Sequence, residues 1–171
     1  MGSIDFDPTS DPVQQVLVDA TSVPALEMNP LTEHWHGNCF VAPKGAVKNT
    51  RTWLNKTISE YRNHYIDSFV FFTSASEIVR AAPAMLDYPF CIPFKRVKQL
   101  RATATGFEPV SPSTWNVIIY GPPIEAAITS IDKVTLFYNT FRDIGRVCFN
   151  EYAGDSWQRD LDYYQDMKGD V

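Results

Sequence analysis

Apolar residues recur along this chain in two kinds of pattern, and each predicts a different element. Val47, Thr50, Leu54, Thr57, Ile58 and Tyr61 step by three and four, with Arg51, Lys56, Glu60 and Arg62 mainly on the other faces. That spacing predicts a helix over roughly 49–63. Ile131, Val134, Phe137, Tyr138, Phe141 and Ile144 repeat it and predict a second helix over about 129–144, with Gly145 as its C′ residue. Continuous apolar runs predict strands instead: Phe40-Val41, Ile66–Thr73, Phe90–Phe94, Trp115–Tyr120 and a short final one over Arg146–Phe149. The run ending at Thr73 reads as a strand covered on both faces. Trp115–Tyr120 is the strongest strand signal of all.

Turn-forming residues divide these runs. Ile4 and Phe6 alternate with acids, so a strand ends at Asp7 and Pro8 turns the chain. Ser10 or Asp11 can cap the next segment, with Pro12 at its first helical position. Val13–Asp19 is compatible with a short helix or a strand, and residues 20–34, broken by Pro24 and Pro30, read as a loop. Ser74-x-x-Glu77 reads as a capping box opening a helix through Ile78, Val79 and Ala82, which Pro83 limits or kinks. Pro89 and Pro93 push the strand between them toward a sheet edge or a broken pairing. Ala102–Thr114, with Gly106, Pro109 and Pro112, reads as a loop, and Gly121-Pro122-Pro123 as a strand terminator. Strands alternating with helices predict a three-layer α/β domain with a mostly parallel sheet over residues 1–150. Residues 151–171 form an acidic, aromatic C-terminal tail, with Trp157, Tyr163 and Tyr164, that reads as a packed helix or an extension.

Within that frame the stretch from Trp35 to Gly45 stands out. Asn38–Ala42 is a short apolar run between Gly37 and Pro43-Lys44-Gly45, a strand entering a turn. In open α/β sheets, ligands sit beyond the carboxyl ends of strands, so Ala42–Gly45 is the first candidate site.

Composition narrows the possibilities. The 171 residues suit one domain, and 44% hydrophobic with 20% charged residues is the balance of a globular protein. A net charge of −5 disfavours autonomous binding of nucleic acid through its phosphates. Charge is uneven, however: Lys95, Arg96, Lys98 and Arg101 cluster, while Asp155–Asp170 is acidic. The basic cluster is either a solvated loop or strand edge, or a phosphate-contacting patch. Cys39, Cys91 and Cys148 lie far apart in apolar runs, outside any zinc spacing, and read as buried free thiols of a reducing compartment. Met1 is followed by acidic Asp5-Phe6-Asp7 and not by a signal-peptide pattern, and no apolar run reaches the roughly 18 residues of a membrane span. A soluble, intracellular protein without a membrane partner is expected.

Common catalytic signatures are absent: the chain has no P-loop, GxGxxG, HExxH or GxSxG. His34-Trp35-His36 lacks a third ligand, so no metal is expected. Asp5, Asp7, Asp11 and Asp19 stand near Pro and Ser and read as turn-formers and caps.

Several segments together resemble a family. Phe6-Asp7-Pro8-Thr9-Ser10-Asp11-Pro12 looks like the Asp-Pro-x-Ser segment near the start of phage-type DNA adenine-N6 methyltransferases. Leu31–Pro43, with Trp35, Gly37, Phe40 and Val41, is similar to that family's approach to its catalytic Asn/Asp-Pro-Pro-Tyr motif. Trp53-Leu54, Phe69–Phe72 and Val117–Tyr120 come in the expected order, so the resemblance covers roughly residues 4–149. It implies a Rossmann-like methyltransferase fold, S-adenosylmethionine as cofactor, with Asp7, Pro8 and Ser10 lining its pocket, and DNA as partner. In the family's motif the Asn/Asp and a carbonyl accept hydrogen bonds from the adenine amine, and the aromatic stacks on a flipped base. Here those four positions are Ala42, Pro43, Lys44 and Gly45, of which only Pro43 matches. The missing aromatic alone forfeits stacking of about 1–3 kcal/mol.

The sequence supports three readings. The leading one is a methyltransferase-like domain, catalytically degenerate, that acts as a binding or interaction module and retains a cofactor-sized pocket. A second is an active S-adenosylmethionine-dependent enzyme with an altered loop, in which Lys44 contacts phosphate or substrate and Tyr61 or Tyr120 supplies the aromatic. A third is a structural or assembly protein that meets a protein partner through its tail and sheet edges.

Overall fold

Each apolar run becomes a strand and each long three-and-four repeat a helix in the computed structural model, which describes residues 3–10, 18–25, 27–104, 106–123 and 127–149. The elements are β1 (Asn38–Val41), α1 (Val47–Arg62), β2 (Ser68–Thr73), α2 (Ile78–Ala81), a 3₁₀ turn over Pro83–Asp87, β3 (Phe90–Pro93), β4 (Gln99–Thr103), β5 (Gly106–Val110), β6 (Val117–Gly121), α3 (Ala127–Phe141) and β7 (Gly145–Cys148). Five strands form one sheet in the order β1-β2-β6-β3-β7, and β4 and β5 pair as a separate ribbon. The predicted tail from 151, and Asp11, Pro12 and most of Val13–Asp19, lie outside the described residues.

The α/β class holds, but the sheet is not mostly parallel. Among the strands of the described sheet only β1 and β2 pair in parallel, while the β2–β6, β6–β3 and β3–β7 pairings are antiparallel. The cause is the insertion of β6 between β2 and β3, opposed to both. Parallel pairing extends outward beyond β1, where Phe6 bridges Cys39 on one side and Ser22 on the other. The first predicted strand is therefore an extended segment on the β1 edge.

β6 is buried at all five positions because both its faces are covered. Val117 and Ile119 join a core with Phe6, Trp35, Leu54, Phe69 and Phe71 on the α1 side. Ile118 and Tyr120 pack with Cys91 and Phe137 of α3 on the other. This is the alternation of a strand between two helical layers.

Four expectations are corrected. β3 is interior and not at an edge, because Pro89 and Pro93 fall at its two ends, although its pairing with β6 is limited to Phe90 and Cys91: Pro89 O accepts from Tyr120 N at 2.8 Å, and Phe94 N donates to Ile144 O at 2.8 Å. The predicted loop over 102–114 contains most of the β4–β5 ribbon. The helix expected from Ser74 starts only at Ile78, because Ser74 Oγ is drawn into tertiary bonds to Gln99 and Asn116. Gly145 opens β7 instead of ending α3; a Cβ there would collide with Cys91 Sγ.

Candidate ligand-binding groove

The carboxyl end of β1 is held from behind by the Asp7 turn. Asp7 Oδ1 accepts from Thr9 N at 2.9 Å and from Thr9 Oγ1 at 2.7 Å, an Asx-turn in which the carboxylate satisfies its own downstream backbone. Thr9 Oγ1 in turn accepts from Ala42 N at 2.9 Å. A carboxylate, a hydroxyl and a backbone amide thus fix where β1 gives way to its loop. Asp7 is only 2% exposed, and Pro8 is buried beside it. Ser10 N donates to Asp7 O at 3.3 Å, within the same turn.

On the other side of that loop lies a groove of about 560 Å³, within the range of small-molecule sites. Ala42–Val47 form one wall, Phe72–Ala75 at the end of β2 the floor, and Lys98–Leu100 with Ser113 and Thr114 the facing wall. The groove therefore opens beyond the carboxyl ends of two parallel neighbours, the position at which α/β sheets present ligands. Gly45 takes φ of +104°, a conformation that favours glycine, as the chain turns into α1. Asn49 Nδ2 secures the turn by donating to Lys44 O at 2.6 Å.

The facing wall is pinned through Asn116, which is fully buried. Its Oδ1 accepts from Val97 N at 2.6 Å and its Nδ2 donates to Ser74 Oγ at 3.0 Å. Gln99 Nε2 donates to the same hydroxyl at 2.7 Å. Thr73 Oγ1 accepts from Ala75 N at 3.0 Å and bends the chain out of β2.

Of the residues singled out in sequence, Ala42, Pro43, Lys44 and Gly45 line the groove, whereas Asp7, Pro8 and Ser10 do not. The two segments meet through Thr9 rather than by sharing this cavity. Charge in the groove comes from Lys44, Lys98 and Glu77, and no histidine or cysteine lines it among the described residues. Positions 42–45 offer neither a side-chain acceptor nor an aromatic ring. Thr9, Ser74 and Asn116 are site-forming residues that the sequence reading misses. Asp-Pro-Thr is a legible turn signal, but the roles of Ser74 and Asn116 depend on contacts distant in sequence.

The other candidates have structural partners. Tyr61 hydroxyl donates to Pro122 O at 2.5 Å, and Tyr120 stacks on Phe137, so neither ring reaches the groove. Burial pushes the Tyr120 hydroxyl up to about 12 and raises that of Tyr61 as well. His34 Nδ1 lies 3.3 Å from Glu60 and its ring stacks on Tyr65, while His36 Nε2 is 3.2 Å from Ser22 Oγ. Among the described residues no three His, Cys, Asp or Glu side chains group as a metal site. Cys39 and Cys91 are buried free thiols and Cys148 is half-buried. No described helix is long and apolar enough to cross a membrane. Comparison of the chain with the models of known protein families and with curated protein sequences finds no match.

Proposed function

We propose that this chain is a methyltransferase-like α/β domain of the DNA adenine-N6 type that has lost methyl transfer and serves as a binding module for DNA. The observation that carries the reading is the groove itself. It sits beyond β1 and β2 with Ala42–Gly45 as its wall, where the resemblance would place the catalytic motif, and those residues lack the acceptor and the ring that adenine chemistry requires. S-adenosylmethionine belongs to the same proposal through Asp7, Pro8 and Ser10. The carboxylate of Asp7 is already engaged by Thr9, which favours weak cofactor binding at most.

Charge is compatible with a nucleic-acid partner once it is located. Residues 150–171 hold six acidic and two basic side chains, so −4 of the net −5 belongs to that segment and −1 to the remaining chain. Lys98 on the groove wall continues into Lys95 and Arg96, an electrostatic stripe suited to phosphates.

Fluorescence anisotropy with an adenine-containing duplex, run beside transfer of labelled methyl from S-adenosylmethionine, tests the proposal. Salt-dependent binding without transfer is expected. Transfer of label would establish a working methyltransferase. Absence of DNA binding would overturn the module reading in favour of an assembly protein.

A further inference from the structure

Between β3 and β6 the chain leaves the main sheet as an arm built on the β4–β5 ribbon, and apolar surface is concentrated there. Of the ten exposed large hydrophobic residues among those described, Phe94, Val97, Leu100, Phe107 and Trp115 belong to this segment, with Phe94 61% and Leu100 50% exposed. Strand register explains part of it. Leu100 stands opposite Pro109, and Phe107 alternates onto the same face, so one side of the ribbon is apolar. A two-stranded ribbon cannot cover that face by itself.

The same arm is basic. Lys95, Arg96 and Lys98 are exposed, and among the described residues no carboxylate forms an ion pair with them. Arg96 Nη1 instead donates to Pro112 O at 3.0 Å and Ser113 O at 3.3 Å, which orients its guanidinium without neutralising it. A surface that is apolar and positive fits an occupant that is aromatic and negative.

Residues 150–171 have that composition: Tyr152, Trp157, Tyr163 and Tyr164 among six acids and two bases. They are also within reach. β7 ends at Cys148 opposite Phe90, and β3 enters the arm after Pro93. Crossing β3 takes about 10 Å, and the lead-in through Lys98 adds at most about 18 Å, whereas this 22-residue segment can extend to roughly 70 Å. Tethering makes the encounter intramolecular, with an effective concentration of about millimolar.

We propose that residues 150–171 dock in cis on the apolar, basic face of the β4–β5 arm, with aromatic rings against Leu100 and Phe107 and acids toward Lys95, Arg96 and Lys98. The docking engages Lys98 and Leu100, which also line the groove, and so competes there with the DNA binding proposed above. It rests on the arm and the composition of residues 150–171 alone, and its test contains neither DNA nor cofactor.

Hydrogen exchange on the full chain tests it. In D155N/D160N/D162N the amides of 99–110 should exchange about tenfold faster, while those of β6, which report the core, stay unchanged. K95E/K98E should give the same loosening. Combining it with D155K/D160K should restore protection by exchanging the signs. Arm amides that exchange alike in the wild-type chain and the neutralised variants would overturn the proposal. Protection that disappears on about hundred-fold dilution would overturn it too, by assigning the face to a second copy.

Discussion

Glu60 is the residue whose removal tests most directly how the site is held. It sits on α1 with its side chain 3% exposed, and it binds three donors: Trp35 N at 3.0 Å, Lys56 Nζ at 2.7 Å and His34 Nδ1 at 3.3 Å. Through Trp35 it fixes the segment that leads into β1 and the groove loop. Glu60→Ala leaves the buried Trp35 amide without an acceptor, a loss of about 1–3 kcal/mol. Lys56, 16% exposed, can swing to water, so the charge contribution stays below the roughly 3–5 kcal/mol of breaking a fully buried pair. The expected total is about 3 kcal/mol, or a fall in Tm of roughly 6–12 °C for a chain of this size. Glu60→Gln keeps an acceptor for Trp35 and should cost only about 1–2 kcal/mol. Burial alone would raise the Glu60 pKa, but the Lys56, Trp35 and His34 bonds outweigh it and hold the carboxyl below the usual carboxylate range. Because the folded value is lowered, the stabilisation is complete above the unfolded pKa of about 4.3 and is lost as pH falls through the folded value. Urea unfolding followed by tryptophan fluorescence should therefore show the gap between wild type and Glu60→Gln narrowing as pH falls below the unfolded pKa of about 4.3. A Glu60→Ala protein within about 0.5 kcal/mol of wild type at neutral pH would refute the reasoning. So would a gap that persists in acid.

Thr9→Val removes both the donor to Asp7 and the acceptor for Ala42 N, and should cost about 1–3 kcal/mol with faster exchange at the Ala42 amide. Unchanged exchange there would show that the turn does not hold the loop. Gly121→Ala drives a Cβ into Cε1 of the buried Phe69, so a loss of at least the roughly 1–3 kcal/mol of overpacking is expected in thermal melts. Partial recovery with Phe69→Leu would assign the loss to that ring, and a normal Tm in the single variant would refute the clash. For the cysteines, burial raises all three thiols, Cys91 to about 11. Cys39 is pushed furthest, since Asp5, Asp7 and Glu60 add to its burial, whereas Arg146 opposes the rise at Cys148. Alkylation at about pH 8, read by peptide mass spectrometry, should therefore label Cys148 first, and early labelling of Cys39 would contradict the packing around it.

Local periodicity made the two long helices legible, because α1 and α3 each bury one face: Leu54 and Ile58 on the first, Val134 and Phe137 on the second. The central strands were legible for the same reason, since an uninterrupted apolar run needs cover on both faces. What such a run does not encode is direction. Phe69–Phe72 would look the same beside a parallel or an antiparallel neighbour, and β6 could be placed between β2 and β3 only from the register of its pairs. The β4–β5 ribbon is hidden because Gly106, Pro109 and Pro112 read as loop residues and outweigh the short alternation of Leu100 and Ala102 with Gln99, Arg101 and Thr103. Its exposed face left no buried set to detect. Ser74 misled for a more instructive reason. A serine three residues before a glutamate is a sound local cap signal, yet two side-chain amides from beyond β3 offered its hydroxyl a better use.

The candidate site divides along the same line. Its near wall, Ala42–Gly45, could be read because a strand followed by Pro-x-Gly announces a loop, and the Asp7 turn because Asp-Pro-Thr favours an Asx bond. The groove needed the far wall, and Lys98, Ser113 and Thr114 reach it only because Asn116 joins Val97 N to Ser74 across two separate connections. This geometry changes the meaning of the loop at positions 42–45. Here the loop is secured from behind by Asp7 and Thr9 and from within by Asn49, and it faces a space large enough for a ligand. Under the proposed function, an open groove beside a wall without the acceptor and the ring is what a domain that binds without transferring a methyl group would show.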